Sequence, residues 1–89
     1  MIVLKVVAKP IEVVAWFDKI GTVHPVRFRI MQNEAITTVI IDKIINQIEE
    51  RFAGNYMLVF TCQSLINDKE KIYEIKYEIA THKWILFKI

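Results

Sequence analysis

Strict alternation of apolar and polar side chains is the feature that most constrains what this chain can fold into. It is clearest over residues 72–79, where two sets take turns: Tyr73, Ile75, Tyr77 and Ile79 against Ile72, Glu74, Lys76 and Glu78. Successive side chains of a β-strand point to opposite faces of its sheet, so a period of two indicates a strand. The pattern predicts a strand with one buried face and one charged, solvated face.

A second pair of alternating stretches, residues 11–18 and 23–30, predicts a β-hairpin. Gly21 lies between them, and glycine adopts the positive φ of a tight turn without steric cost. We therefore expect a two-residue turn at Ile20 and Gly21. That turn would pair Phe17 with His24, Ala15 with Val26, Val13 with Phe28, Ile11 with Ile30 and Glu12 with Arg29.

Residues 37–52 allow two interpretations. Residues 37–45 are almost all β-branched and alternate like a strand that is buried on both faces. Helical spacing is also present, with Thr37 or Thr38 as a cap, Gly54 as a terminator and an apolar stripe made of Ile40, Ile41, Ile44, Ile45, Ile48 and Phe52. We predict a strand over residues 37–45, then a loop or short helical turn at residues 49–51. A helix over residues 39–52 is the alternative.

Turn signals divide the rest of the chain into short segments. Polar or glycine-containing clusters at residues 32–34, 54–55 and 67–70 predict turns, and strands are expected over residues 56–63 and 83–89. In the last strand, either Trp84 and Leu86 or Ile85 and Phe87 face inward. We predict one domain, residues 1–89, that is mainly β: a small antiparallel, barrel-like meander of five to six strands. The alternative is an α+β domain with one helix, residues 39–52, packed on the sheet.

Composition restricts the class of protein. Hydrophobic residues make up 54% of the chain, which suits a dense core and argues against disorder. Lys and Arg number 12 against 10 Asp and Glu, and a charge of +2 is far below the basic excess of a dedicated nucleic-acid protein. Lys5 and Lys9 interrupt the first apolar residues, unlike a secretory signal, and no run approaches the ~20 apolar residues of a membrane span. We expect a cytoplasmic protein without a membrane association.

Residues that could support catalysis or bind a cofactor are sparse. Gly21 and Gly54 are isolated, which excludes a glycine-rich phosphate loop. His24, His82 and Cys62 lack the spacing of metal ligands, and Cys62 falls on the expected buried face of its strand, where a structural thiol is the ordinary case. As the single cysteine, it also has no partner for an internal disulfide. We predict no cofactor, no metal site and no enzymatic activity.

One combination of residues indicates a binding surface. In the predicted hairpin, Trp16, Arg27 and Arg29 project from the face opposite the core. An aromatic ring beside guanidinium groups can stack on bases and hold the phosphates of single-stranded nucleic acid. Trp and Arg are equally enriched among the hot spots of protein interfaces. The alternative is that both faces of the hairpin are covered, with Arg29 paired to Glu12 and Trp16 lying under another segment.

The stretch from residue 41 to residue 89 resembles small uncharacterised all-β bacterial domains, some of which are encoded beside components of error-prone DNA polymerases. The features in common are the segment 41–45, a loop with Glu50 and Gly54, the strand 57–62, the segment 73–78 and the closing segment 83–86. The resemblance implies a strand at residues 37–45 and a nucleic-acid context. Some of those domains carry paired tryptophans in the middle loop, which this sequence lacks, so no binding residue is transferred.

Together these features predict a non-catalytic small β-barrel binding module in which Trp16, Arg27 and Arg29 contact a nucleic acid or a protein. The alternative is a structural or assembly protein that self-associates into a homo-oligomer. An exposed hairpin or edge strand could mediate that association, because unpaired strand edges accept a further strand.

Overall fold

The computed structural model describes residues 4–89, and these residues form β-strands joined by short turns. The seven strands of this part of the chain are β1 (Val6–Phe17), β2 (Val23–Gln32), β3 (Ala35–Ile40), β4 (Lys43–Phe52), β5 (Asn55–Ile66), β6 (Lys69–Glu78) and β7 (Lys83–Lys88). The prediction of a mainly β chain is confirmed. The predicted count of five to six strands is too low. Residues 4–89 also contain no helix that is long and apolar enough to cross a membrane.

All of these strands belong to one antiparallel sheet in the order β3-β2-β1-β7-β6-β5-β4. β3 and β4 lie at opposite ends of the sheet, although only Ile41 and Asp42 separate them in sequence. The N–H of Ile41 donates to the carbonyl of Val26 in β2 at 3.0 Å, and the N–H of Asp42 donates to that of Gln63 in β5 at 3.1 Å. The sheet must therefore curl until its two ends approach each other. Within residues 4–89 no ladder joins β3 to β4, so the sheet is curved but open. The predicted barrel-like closure is therefore not present in these residues.

The core lies inside this curve. Its fully buried side chains come from β5 and β6: Phe60, Cys62, Ser64, Tyr73 and Ile75. Phe28 of β2 meets Tyr73 edge to face, with ring centroids 5.5 Å apart, so the core joins strands that are not neighbours in the sheet. Alternation predicted this face correctly for β5 and β6. In β7 the inward residue is Leu86, which is buried, and this settles the alternative left open for that strand.

The predicted hairpin of β1 and β2 is present, with a corrected turn. Glu12 pairs with Arg29 and Val13 with Phe28, as expected, but the register shifts after Val14 so that Trp16 lies opposite His24, the predicted partner of Phe17. The cause is the turn, which spans residues 18–22 and not two residues alone: the N–H of Asp18 donates to the carbonyl of Thr22 at 3.0 Å. A β-bulge absorbs the difference, and bulges are a usual way to correct such a mismatch.

The predicted strand over residues 37–45 is in fact divided between two strands, because β3 ends at Ile40 and β4 begins at Lys43, and most of its side chains are exposed. The chain is extended on both sides of this break, so the alternative helix over residues 39–52 is wrong. The expected loop or helical turn at residues 49–51 is also wrong, because these residues lie within β4. β4 pairs with β5 from Lys43 opposite Gln63 to Phe52 opposite Asn55. Pairing with a neighbouring strand overrides the helical spacing of the isoleucines, as tertiary context commonly overrides local preference.

Three short turns connect the outer hairpins. Asn33 and Glu34 both have positive φ, 48° and 65°, as do the residue pair 53–54 and the pair 67–68. Positive φ at both central positions is the backbone geometry of a type I′ turn, which matches the twist of the flanking strands. The sequence predicted the positions of the first two turns to within a residue. The third turn was predicted too long, because residues 69–70 already belong to β6.

Replacing Glu34 by glycine is expected to stabilise the protein by about 1 kcal/mol, because a left-handed φ strains any residue with a Cβ atom. Gly54 occupies the equivalent position of its own turn, and a Cβ atom there would meet nothing within 4 Å. Gly54→Ala should therefore destabilise through backbone strain alone. Urea unfolding of both variants checks the pair; a Glu34→Gly variant that is no more stable than the natural chain would contradict the turn assignment.

The outer face of β6 is less solvated than predicted. The side chain of Lys76 is only 9% exposed, and its Nζ lies 3.0 Å from Oε1 of Glu50 in β4. The same Nζ lies 3.7 Å from the centroid of the Phe87 ring in β7. Side chains of two other strands thus cover the charge, and the ion pair and the ring compensate for its lost hydration.

Candidate functional site

The three residues predicted to form a binding surface lie on the outer side of β1–β3, away from the core. Val14 lies opposite Arg27 in the β1–β2 ladder, and Arg27 lies opposite Ile40 in the β2–β3 ladder. Two residues further along each strand, on the same face, Glu12 lies opposite Arg29. Trp16 follows on the same face of β1. We call this surface the Trp16 face; its residues are Glu12, Val14, Trp16, Arg27, Arg29 and Ile40.

Trp16 is held in place but is not covered. Its ring stacks on that of His24 with centroids 4.1 Å apart and planes 18° apart. His24 in turn places its Nε2 3.1 Å from Oδ2 of Asp18. One side of the indole is therefore supported, while Trp16 as a whole is 54% exposed. The expectation that another segment covers Trp16 is not met.

Asp18 organises the turn that supports this stack. Its Oδ1 accepts hydrogen bonds from the N–H groups of Ile20 and Thr22, at 3.0 and 2.9 Å. Two hydrogen bonds lower the pKa of Asp18 below its usual value: the one with His24 has the larger effect, and the one with the N–H of Thr22 has the next largest. Because these partners favour the carboxylate, protonating Asp18 weakens the turn.

We expect Asp18 to contribute to stability above pH 4, and this contribution to be lost as the pH falls further. A carboxyl whose pKa is lower in the folded than in the unfolded state stabilises the fold above its unfolded pKa of about 3.9 and ceases to do so below its folded pKa. Asp18→Asn should be less stable than the natural chain at pH 7, with the difference shrinking towards pH 2. Urea unfolding at several pH values checks this; a difference that stays constant with pH would contradict the role given to the carboxylate.

Arg29 is already engaged within the chain. Its Nε donates to Oε1 of Glu12 at 2.8 Å and its Nη2 to Oε2 at 3.3 Å. This hydrogen bonding and charge attraction lower the pKa of Glu12 and raise that of Arg29. The alternative in which Arg29 pairs with Glu12 is thus correct on this point. A phosphate approaching Arg29 would meet the carboxylate of Glu12 as well.

Arg27 differs from Arg29 because its side chain makes no hydrogen bond or ion pair with residues 4–89. It borders a shallow cavity of about 430 Å³ together with Val14 and Arg29. Two of its neighbours on the sheet are exposed apolar side chains: Val14 is 51% exposed and Ile40 63% exposed. The Trp16 face therefore presents one uncommitted guanidinium among apolar groups.

The apolar surface extends beyond the residues that the sequence singled out. Met31 and Ile36 pair across β2 and β3, two positions beyond the row of Arg29, and are 67% and 59% exposed. Isolated exposed apolar residues are normal on a protein surface, but a contiguous group marks an interaction site more often than chance. Alternation in residues 35–40 could have placed Ile36 and Ile40 on this face, had the strand been predicted to begin at residue 35.

Cys62, His24 and His82, which lack the spacing of metal ligands in the sequence, each contact a different group in the structure. Cys62 is fully buried, its Sγ lies 3.7 Å from the carbonyl oxygen of Phe60, and burial raises the pKa of its thiol to about 12. His82 places its Nδ1 2.8 Å from the hydroxyl of Tyr77, and His24 is bound to Asp18. The structure does not bring Cys62 into hydrogen-bonding contact with either histidine.

A second cavity was not predicted from the sequence. It has a volume of about 580 Å³ and lies at the end of the curved sheet where the β1–β2 turn and the β6–β7 link meet. Its walls include Phe17, Leu58, Tyr77 and Trp84. We call it the Trp84 pocket. Because its walls come from both ends of the chain, no local pattern could have indicated it.

Comparison of the chain with protein-family models, with curated proteins and with solved structures finds no match in any of the three.

Proposed function

We propose that this protein is a non-catalytic binding module whose Trp16 face docks onto a protein partner. One observation supports this proposal above the others. The guanidinium of Arg27, which makes no hydrogen bond or ion pair with residues 4–89, lies among the exposed side chains of Val14, Trp16 and Ile40. Trp and Arg dominate the energetics of protein interfaces when they are surrounded by groups that exclude water. The complementary partner surface carries an acidic residue for Arg27, surrounded by apolar side chains.

The charges of this face favour a protein over single-stranded nucleic acid. Binding along a nucleic-acid backbone needs several cations that neutralise phosphates. Arg29 is neutralised by Glu12, and the whole chain carries a charge of only +2. Trp16 alone could stack on a base, but Val14 and Ile40 offer a base neither charge nor hydrogen bonds. These groups suit apolar side chains better.

Self-association through β4 is the second candidate function, and one observation favours it. β4 lies at the end of the sheet, runs for ten residues and has exposed side chains on both of its faces. Ile48 and Phe52 are 50% and 79% exposed there. An edge strand of this kind can accept a strand from a second copy.

Site-specific photo-crosslinking in the native host tests the proposal. Benzoylphenylalanine replaces Ile40 on the Trp16 face, Phe52 on β4, or Val6, which at 60% exposed matches Ile40 and lies off both surfaces. We expect a protein adduct of defined mass at position 40, its loss when Arg27→Glu is added, and none at position 6.

Each other outcome has a definite meaning. A nuclease-sensitive adduct at position 40 would replace the protein partner with a nucleic acid. An adduct at position 52 with twice the chain mass would support the second candidate. No adduct at position 40, or one indifferent to Arg27→Glu, would overturn the proposal.

A further inference from the structure

The Trp84 pocket is lined by side chains from several strands of the curved sheet. Val13, Ala15 and Phe17 come from β1, and Leu58, Tyr77 and Trp84 come from β5, β6 and β7. Its volume of about 580 Å³ falls within the ~300–1,000 Å³ of typical small-molecule sites. The mouths of curved and closed β-sheets are common positions for such sites.

Small residues explain why this end of the core is left open. Ala15 places only a methyl group on its wall, and Gly21 contributes no side chain at the rim. Gly21 has a φ of 90°, so the turn itself requires a residue without a Cβ atom. The close packing seen around Phe60 and Tyr73 therefore leaves a cavity at this end of the core.

Aromatic rings give the pocket its chemical character. The rings of Tyr77 and Trp84 lie 4.6 Å apart between centroids, and Phe17 meets Tyr77 edge on at 6.5 Å. Rings in such offset and edge-on arrangements bind a further planar ring favourably.

One polar pair lies beside these rings. The hydroxyl of Tyr77 and Nδ1 of His82 are 2.8 Å apart, which leaves Nε2 of His82 without a hydrogen bond to residues 4–89. His82 lies on the link between β6 and β7, which borders the pocket. Nε2 donates or accepts according to which ring nitrogen carries the proton.

We infer that the Trp84 pocket binds a planar, largely apolar ring compound that carries one hydrogen-bonding group at its edge. The ring packs between Phe17 and Trp84, and the polar group bonds to His82. This site lies inside the curve of the sheet, whereas the Trp16 face lies outside it, so the two proposals stand independently.

Titration of 15N-labelled protein with 2-naphthol, followed by NMR, tests the inference. The chain has two tryptophans, so Trp84 and Trp16 give separate indole N–H signals, assigned through Trp16→Phe. We expect saturable shifts at Trp84 and at the amides of Ala15 and Leu58, with Trp16 unaffected. Cyclohexanol, a non-planar ring alcohol, should bind about tenfold more weakly or worse.

Two neighbouring substitutions supply the matched control. Ala15→Leu fills the pocket and should weaken 2-naphthol binding about tenfold or more, whereas Val14→Leu adds bulk on the outer side and should leave it unchanged. Leu58→Phe fills the pocket from β5 and replaces Ala15→Leu in the test should that variant fail to fold. Shifts that do not saturate, shifts equal at Trp16, or binding indifferent to both filling substitutions would overturn the inference.

Discussion

Phe60→Ala is expected to destabilise the protein by about 3–5 kcal/mol, the largest effect of any single substitution considered for this chain. Phe60 is fully buried, and its ring centroid lies 5.8 Å from that of Trp84. Truncation removes the apolar surface of the ring and leaves a cavity between β5 and β7. A domain of 89 residues has a total stability of about 4–13 kcal/mol, so this one change removes a large part of it.

Phe52→Ala is the matched control for this substitution. Phe52 is 79% exposed at the end of β4, and removing its ring should change stability by less than about 0.5 kcal/mol. Urea unfolding followed by circular dichroism measures both variants. Equal effects of the two substitutions would contradict the core described for the curved sheet.

Ser64→Ala is expected to destabilise the protein by about 1–3 kcal/mol, although the side chain removed is small. Its Oγ lies 2.5 Å from the hydroxyl oxygen of Tyr73, and both residues are fully buried. Burial also raises the pKa of Tyr73, because the phenolate form would lose its hydration. Without Ser64, the Tyr73 hydroxyl is left buried without its partner.

The double variant Ser64→Ala, Tyr73→Phe decides whether the pair is coupled. Removing both hydroxyls leaves no unsatisfied group, so the double variant should be more stable than the sum of the two single effects implies, by about 1 kcal/mol or more. Urea unfolding of all four proteins gives the coupling free energy. Strictly additive effects would mean that the hydroxyls are satisfied in some other way.

Local alternation was enough to predict the buried faces of β5 and β6, because a strand with one apolar face has one favourable orientation on a core. The register of β1 and β2 was not fully predictable. It depends on the Asp18 side chain, whose bonds to Ile20 and Thr22 widen the turn and shift the pairing at Ala15. Such a side-chain contact leaves no trace in the hydrophobic pattern.

Long-range pairing explains the other errors. Residues 49–51 appear polar and turn-like in sequence, yet the edge of β5 provides a ladder that keeps them extended. Lys76 appears to be a solvated charge, yet Glu50 and Phe87 cover it from strands that are distant in sequence. Neither interaction could be found without knowing the strand order.

The prediction of the site was likewise correct where it depended on local alternation and incomplete where it depended on long-range contacts. Trp16 and Arg27 were placed on one face by alternation, and the bulge in the hairpin keeps them there despite the change in register. The pairing of Arg29 with Glu12 was one of two alternatives and followed from their cross-strand positions. The Trp84 pocket was missed because Ala15 and Trp84 lie far apart in sequence.

The most direct test of the proposed function is the affinity of this chain for the partner protein that is crosslinked at position 40. Isothermal titration calorimetry compares the natural chain with Trp16→Ala and with Phe17→Ala, a neighbouring aromatic of similar exposure, 57% against 54%, on the opposite face of β1. We predict that Trp16→Ala weakens binding about 30-fold, as for a hot-spot residue, and that Phe17→Ala changes it less than about threefold. Equal effects of the two substitutions, or no effect of Trp16→Ala, would contradict the docking role of the Trp16 face.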